Sequence, residues 1–198
     1  MDLMSGFIGA ILGAIVAGYC SIKATQIANK HQREQSLENE KKLLAGLLQS
    51  IHDEIETVYE RYQETMGARL ESLSENNPLV WYYPLVSDFF TIYNSNGFLI
   101  GKIPSNDLRK QIIKTCTLSK GMVDSYRMNN DLVGKFEYAH KLFEETGLQV
   151  HQNQTNAHFA ALVEYAKTLK ESHKILKIEV ASLLRELRKN GVLNELKN

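Results

Sequence analysis

Phe159 to Leu187 reads FAALVEYAKTLKESHKILKIEVASLLREL, and its apolar positions fall at Phe159, Leu162, Ala166, Leu169, His173, Leu176, Val180, Leu183 and Leu187. The steps alternate three and four without a slip. That spacing keeps one stripe of a helix against a partner through about four heptads, in the manner of a coiled coil. It predicts a C-terminal helix over 156–190, capped by Asn156 at its start. Arg188 and Lys189 complement the negative end of that helix, and Gly191 closes it. His173 is the polar member of the seam, a place where a buried hydrogen-bonding group selects register at some cost in stability.

Working toward the amino terminus, Leu108, Ile112, Thr115, Met122, Tyr126, Val133, Phe136 and Phe143 give a second helical stripe. This predicts a long helix over 105–147, with Ser105 as N-cap, Asp107 in the first turn and Gly147 at the stop. Gly121 and Gly134 weaken it by about 1 kcal/mol each relative to alanine and allow a kink. All three prolines, Pro78, Pro84 and Pro104, lie before this helix. They bracket an aromatic-rich connecting segment, 78–104, that holds Trp81, Tyr82, Tyr83, Phe89, Phe90 and Tyr93. Over so few residues, periodicity does not choose between short helices and an extended piece. Upstream, Leu44, Leu48, Ile51, Ile55, Val58, Tyr62 and Met66 mark the apolar face of an amphipathic helix within 23–77, which ends at the polar cluster before Pro78. The expectation is an all-α chain.

The first stretch, Leu3 to Ile22 (LMSGFIGAILGAIVAGYCSI), carries no charged side chain. About 20 helical residues at a rise of roughly 1.5 Å match the ~30 Å hydrocarbon layer, so 3–22 is expected to be one transmembrane helix continuing into a cytoplasmic bundle. Lys23, Lys30, Arg33, Lys41 and Lys42 follow the run and none precedes it, which orients the carboxy-terminal side toward the cytoplasm and the amino terminus outside. Cleavage is not expected, since a basic start and an A-x-A site are missing and Tyr19 rather than a small residue precedes Cys20. Gly6, Ala10, Ala14 and Gly18 line one face, and Gly9, Gly13, Ala17 and Ser21 the next. Such small-residue stripes let membrane helices approach closely, and point to a homo-oligomer or a helical protein partner.

The formal net charge of zero gives no general pull toward nucleic acid, and no nucleic-acid partner is expected. No phosphate loop, nucleophile elbow, H-E-x-x-H pair or C-x-x-C pair occurs, so no catalytic residue, metal or cofactor is assigned. His151 and His158 are expected in a loop, His52 on a charged face. One polar constellation stands out. Lys120, Asp124, Arg127 and Asp131 share a helix face; as surface ion pairs they contribute about 0–1 kcal/mol each. With Asn96 and Asn130 they also form a candidate polar binding face.

The Gly/Ala-rich anchor, the polar helix below it, and the stretch Phe90-Thr91-Ile92-Tyr93-Asn94-Ser95-Asn96 through Ile100-Gly101-Lys102-Ile103 to Leu108-Arg109 resemble a group of uncharacterised bacterial single-span membrane proteins. The resemblance carries no activity with it. Together these readings give a non-catalytic, single-pass scaffold or interaction protein of the bacterial inner membrane, whose partners are the lipid bilayer and another helical chain. The alternative is a membrane effector that oligomerises through its Gly/Ala-rich helix and perturbs the bilayer.

Overall fold

The computed structural model describes residues 2–84 and 89–192, and for residues 2–12 and 14–16 the backbone alone. The chain is all-α. Its elements are α1 (Asp2–Tyr62), a π-turn (Gln63–Gly67), α2 (Ala68–Ser72), two short helices α3 (Thr91–Ser95) and α4 (Gly97–Gly101), and two long helices α5 (Asn106–Thr146) and α6 (Gln149–Lys189). It divides into two compact units, residues 1–44 and 45–198.

The first unit is the leading part of α1. Its described side chains from Ala17 to Leu43 are exposed. Among the described residues no helix is long and apolar enough to cross a membrane. Of Gly6, Gly9, Ala10 and Ala14, on which the packing-stripe expectation rests, only the backbone is described, so their contacts lie outside what the structure describes. Gly13 and Gly18 are described, and a methyl group built on either meets nothing within 4 Å. An exposed helix draws on side-chain pairs one turn apart, and Lys42 lies 2.8 Å from Glu38 here. That lysine, by hydrogen bond and by charge, holds the Glu38 carboxyl below its ordinary value.

In the second unit, α5 and α6 form an antiparallel hairpin joined by Gly147 and Leu148. Gly147 takes φ 64°, a left-handed turn that glycine adopts without a Cβ penalty, and its N–H returns to the Phe143 carbonyl at 2.8 Å. At the other end the Ser105 hydroxyl accepts from the Leu108 N–H. The antiparallel register is visible in the cross-links: Gln111 donates to Ser182 at 2.7 Å, Lys114 pairs with Glu179, and Phe136 meets Phe159. Leu162, Ala166, Leu169, His173, Leu176, Val180, Leu183 and Leu187 are buried along α6, facing Leu108, Ile112, Cys116, Met122, Tyr126 and Val133 on α5. Each large apolar side chain taken from water contributes about 1.5–3 kcal/mol.

The later part of α1, the π-turn and α2 complete the bundle through Leu47, Ile51, Ile55, Met66 and Leu70, all buried. Steps of four outrun the 3.6-residue turn, and the wider π-turn between Ile55 and Leu70 takes that drift back. Bonds from Glu56 to Arg188 and from Glu71 to Lys177 run α1–α2 along α6 in the opposite direction.

Several expectations are corrected. The amphipathic helix stops at Ser72, not 77, and it is Leu47 rather than Leu44 or Leu48 that is buried. The C-terminal helix begins at Gln149 with Leu148 as N-cap, so Asn156 is interior and His151 and His158 sit on a helix rather than a loop. The two-residue Gly147–Leu148 turn leaves no room for a longer connection. α5 runs through Gly121 and Gly134 without a break. Phe159, the first seam position, is 43% exposed. His52 is fully buried, because the step from Ile51 places it on the edge of the core rather than on the charged side.

Candidate functional site

The aromatic segment contains both an extended piece and short helices. Residues 78–84 carry no regular structure, yet their backbone is gripped from α5. The Asn130 amide donates to the Tyr83 carbonyl at 2.7 Å and accepts from the Tyr83 N–H at 2.9 Å. Asn129 donates to the carbonyls of Leu79 and Trp81, each at 3.2 Å. An asparagine carries both donor and acceptor on one planar group, so it satisfies an extended peptide as a neighbouring strand would. Arg69 stacks its guanidinium 3.7 Å above the Trp81 ring, a favourable cation–aromatic contact.

Further along, Phe90 adopts the left-handed conformation at φ 64°, ψ 47°, which costs a residue with a Cβ about 1–2 kcal/mol. Two features offset that strain. Its ring is buried, and the Glu54 carboxylate caps the following helix, accepting from the N–H groups of Ile92 and Tyr93 at 2.8 and 3.0 Å.

These anchors place Tyr83 and Phe90 over a cavity of about 220 Å³. Its walls include Ile55, Val58, Met122, Leu176 and Val180 together with Tyr62 and Tyr126. The Tyr126 ring lies 5.5 Å from that of Tyr83 and 6.2 Å from that of Tyr62, centroid to centroid, both tilted. Tyr126 is 1% exposed, and its hydroxyl has no hydrogen-bond partner among the described residues. A buried hydroxyl left this way costs about 1–3 kcal/mol.

Beside the cavity, a polar relay runs from α1 through α6 to α2. The Tyr62 hydroxyl lies 2.7 Å from His173 Nδ1, His173 Nε2 lies 3.1 Å from Glu71 Oε1, and Lys177 donates to the same oxygen at 2.5 Å. A neutral imidazole satisfies this line with Nδ1 accepting from Tyr62 and Nε2–H donating to Glu71. Lys177 first, then His173, holds the Glu71 carboxyl down at about 2. Burial, and then the neighbouring Tyr126, pushes the Tyr62 phenol well above its ordinary value, so a phenolate is not formed at neutral pH. The relay therefore locks α1, α2 and α6 together rather than generating a base. Gly67 makes room for it: a Cβ there would stand 3.2 Å from His173 Cε1. His173 thus lies on the seam as the sequence placed it, whereas its partners Tyr62 and Glu71 are over 100 positions away and leave no local signal.

The polar face read from the sequence is only partly assembled. Arg127, Asn130 and Asp131 meet Tyr82 at an open polar depression. Of this row, Asp124 bonds Arg127 at 2.6 Å and Asp131 bonds Lys135 at 2.6 Å. Lys120 turns instead to Asn94 at 2.7 Å and lies 5.3 Å from the centre of the Tyr93 ring. Asn96 is occupied locally, donating to the Ile92 carbonyl at 2.8 Å. Asn94 and Ser95 belong to α3. The Asn130 amide is committed to the Tyr83 backbone, which makes it a positioning group for the segment.

His52, Asp53 and Glu56 bring their ligand atoms within 4.8 Å of one another. Their oxygens already have partners: Asp53 accepts from Gln49 at 2.8 Å and Glu56 from Arg188 at 2.8 Å. Burial pushes the Cys116 thiol up to about 12, so it stays protonated in the core.

No family model, curated protein or solved structure matches this chain.

Proposed function

We propose that this chain is a single-pass, non-catalytic scaffold of the bacterial inner membrane, tethered by residues 3–22, with its amino terminus outside and its helical bundle in the cytoplasm. The uncharged opening run and the lysines and arginines confined to its far side support the tether and its orientation. A single observation supports the interaction role. Tyr138, Leu148, Val150 and Phe159 are 68, 52, 55 and 43% exposed at the closed end of the α5–α6 hairpin. The bonds of α1 and α2 fall instead on the other half of α6, between Lys170 and Arg188. Exposed large apolar groups clustered at one end of a molecule characteristically mark a contact surface.

The partner proposed is a second copy of the chain, with the small-residue stripes of the first helix in contact. A Cβ built at Gly13 or Gly18 meets nothing within 4 Å, so a larger side chain there tests contacts between molecules. Cross-linking of the full-length protein in native membranes should give an oligomer that Gly13→Leu with Gly18→Leu diminishes. A monomer at every cross-linker concentration would reject self-association. Loss of membrane potential on expression, reversed by the same substitutions, would favour the bilayer-perturbing effector instead.

A further inference from the structure

We propose that the cavity between α1, α5 and α6 is a binding site for a small, neutral, mostly apolar molecule carrying one hydrogen-bond acceptor, which the Tyr126 hydroxyl recognises. The volume of about 220 Å³ exceeds the ~150 Å³ apolar cavity that admits benzene, so a substituted aromatic ring fits. The walls select against charge. Arg61 is the one charged residue among the described lining residues, and it is exposed. An ionised group held deep beside Met122 and Val180 would lose its hydration without gaining a counter-charge.

The single polar requirement comes from the hydroxyls. Tyr62 bonds His173, Tyr59 donates to Gln63, Tyr83 meets Thr65, and Ser119 donates to the Thr115 carbonyl. Thr57 is exposed to water, which leaves Tyr126, buried and without a partner among the described residues. Because buried donors in folded proteins are nearly always satisfied, this one calls for an acceptor from outside the described residues. A carbonyl or ether oxygen on an otherwise apolar ligand supplies it. The same molecule replaces empty space with contacts along Ile55, Leu176 and Val180.

The test uses full-length protein in mild detergent, labelled at methionine methyl groups, and two probes of matched shape. Acetophenone has a carbonyl oxygen where α-methylstyrene has a CH₂. Acetophenone should shift the Met122 methyl resonance saturably, binding about threefold to tenfold more tightly than α-methylstyrene. Tyr126→Phe should erase that preference. Equal affinity of the two probes for the wild-type chain would overturn the proposal without recourse to any variant. So would a Met122 signal that does not respond to acetophenone up to its solubility limit, or a preference retained in a folded Tyr126→Phe protein.

Discussion

The relay through His173 allows a quantitative test of how the bundle is held. Replacing His173 by leucine removes the acceptor for the Tyr62 hydroxyl at 2.7 Å and one donor to Glu71 at 3.1 Å, while filling a 5% exposed seam position with an apolar side chain. The hydroxyl left without an acceptor costs about 1–3 kcal/mol, part of which the leucine offsets by burial. Tyr62→Phe strands His173 Nδ1 in the same way. Combining the two leaves an apolar pair with nothing unsatisfied between them. The double variant should therefore be more stable than the sum of the single effects predicts, by about 1 kcal/mol or more. In a domain of this size each kcal/mol moves the thermal midpoint by about 2–4 °C, so the non-additivity is measurable. Urea unfolding of the full-length protein, followed by circular dichroism for all four sequences, gives the coupling directly. Additivity within about 0.3 kcal/mol would refute the claim that these side chains act as a pair.

Other expectations follow from the same geometry. Glu71 titrates at about 2 in the fold against an ordinary 4.5; its contribution to stability is complete above the ordinary value and is lost as pH falls from about 5 toward 2. Glu71→Gln should flatten that part of the stability-against-pH curve, and an unchanged acid limb would contradict the assignment. Asn130→Ala removes both bonds to the Tyr83 backbone; it should cost about 1–3 kcal/mol and red-shift the emission of Trp81, the sole tryptophan. Unaltered emission would show that the segment is held by other contacts. Gly147→Ala forces a Cβ into the φ 64° turn and should lower stability by about 1 kcal/mol, read as a shift in urea midpoint. The Cys116 thiol, buried and protonated, should resist alkylation in native protein and react once the chain is unfolded; reaction at the native rate of a free thiol would place it at the surface.

The long helices were legible because their signal is repeated many times. From Leu162 to Leu187 each seam residue is buried, and one misplaced position in such a run is outvoted by the rest. Helix ends were less so: Asn156 is a good capping residue, but the chain turns at Gly147–Leu148, and a cap sequence has no force in a helix already under way. The phase of α1 depends on a π-turn over Gln63–Gly67, which no residue pattern announces. At the site, His173 was visible as the polar member of an apolar stripe. Tyr62, Glu71 and Tyr126 were not, since their roles arise from contacts between helices distant in sequence. On the polar row of α5, side chains with several possible partners take the nearest. Asp124 bonds Arg127 and Lys120 reaches Asn94.

The proposed function depends most on the opening twenty-residue run holding the protein to lipid. Broken cells expressing the full-length chain, fractionated by ultracentrifugation and washed in alkaline carbonate without detergent, test this directly. The protein should remain in the pellet and enter solution only when detergent is added. Recovery in the first supernatant, as folded protein, would contradict the membrane tether and with it the orientation and the scaffold role built upon it.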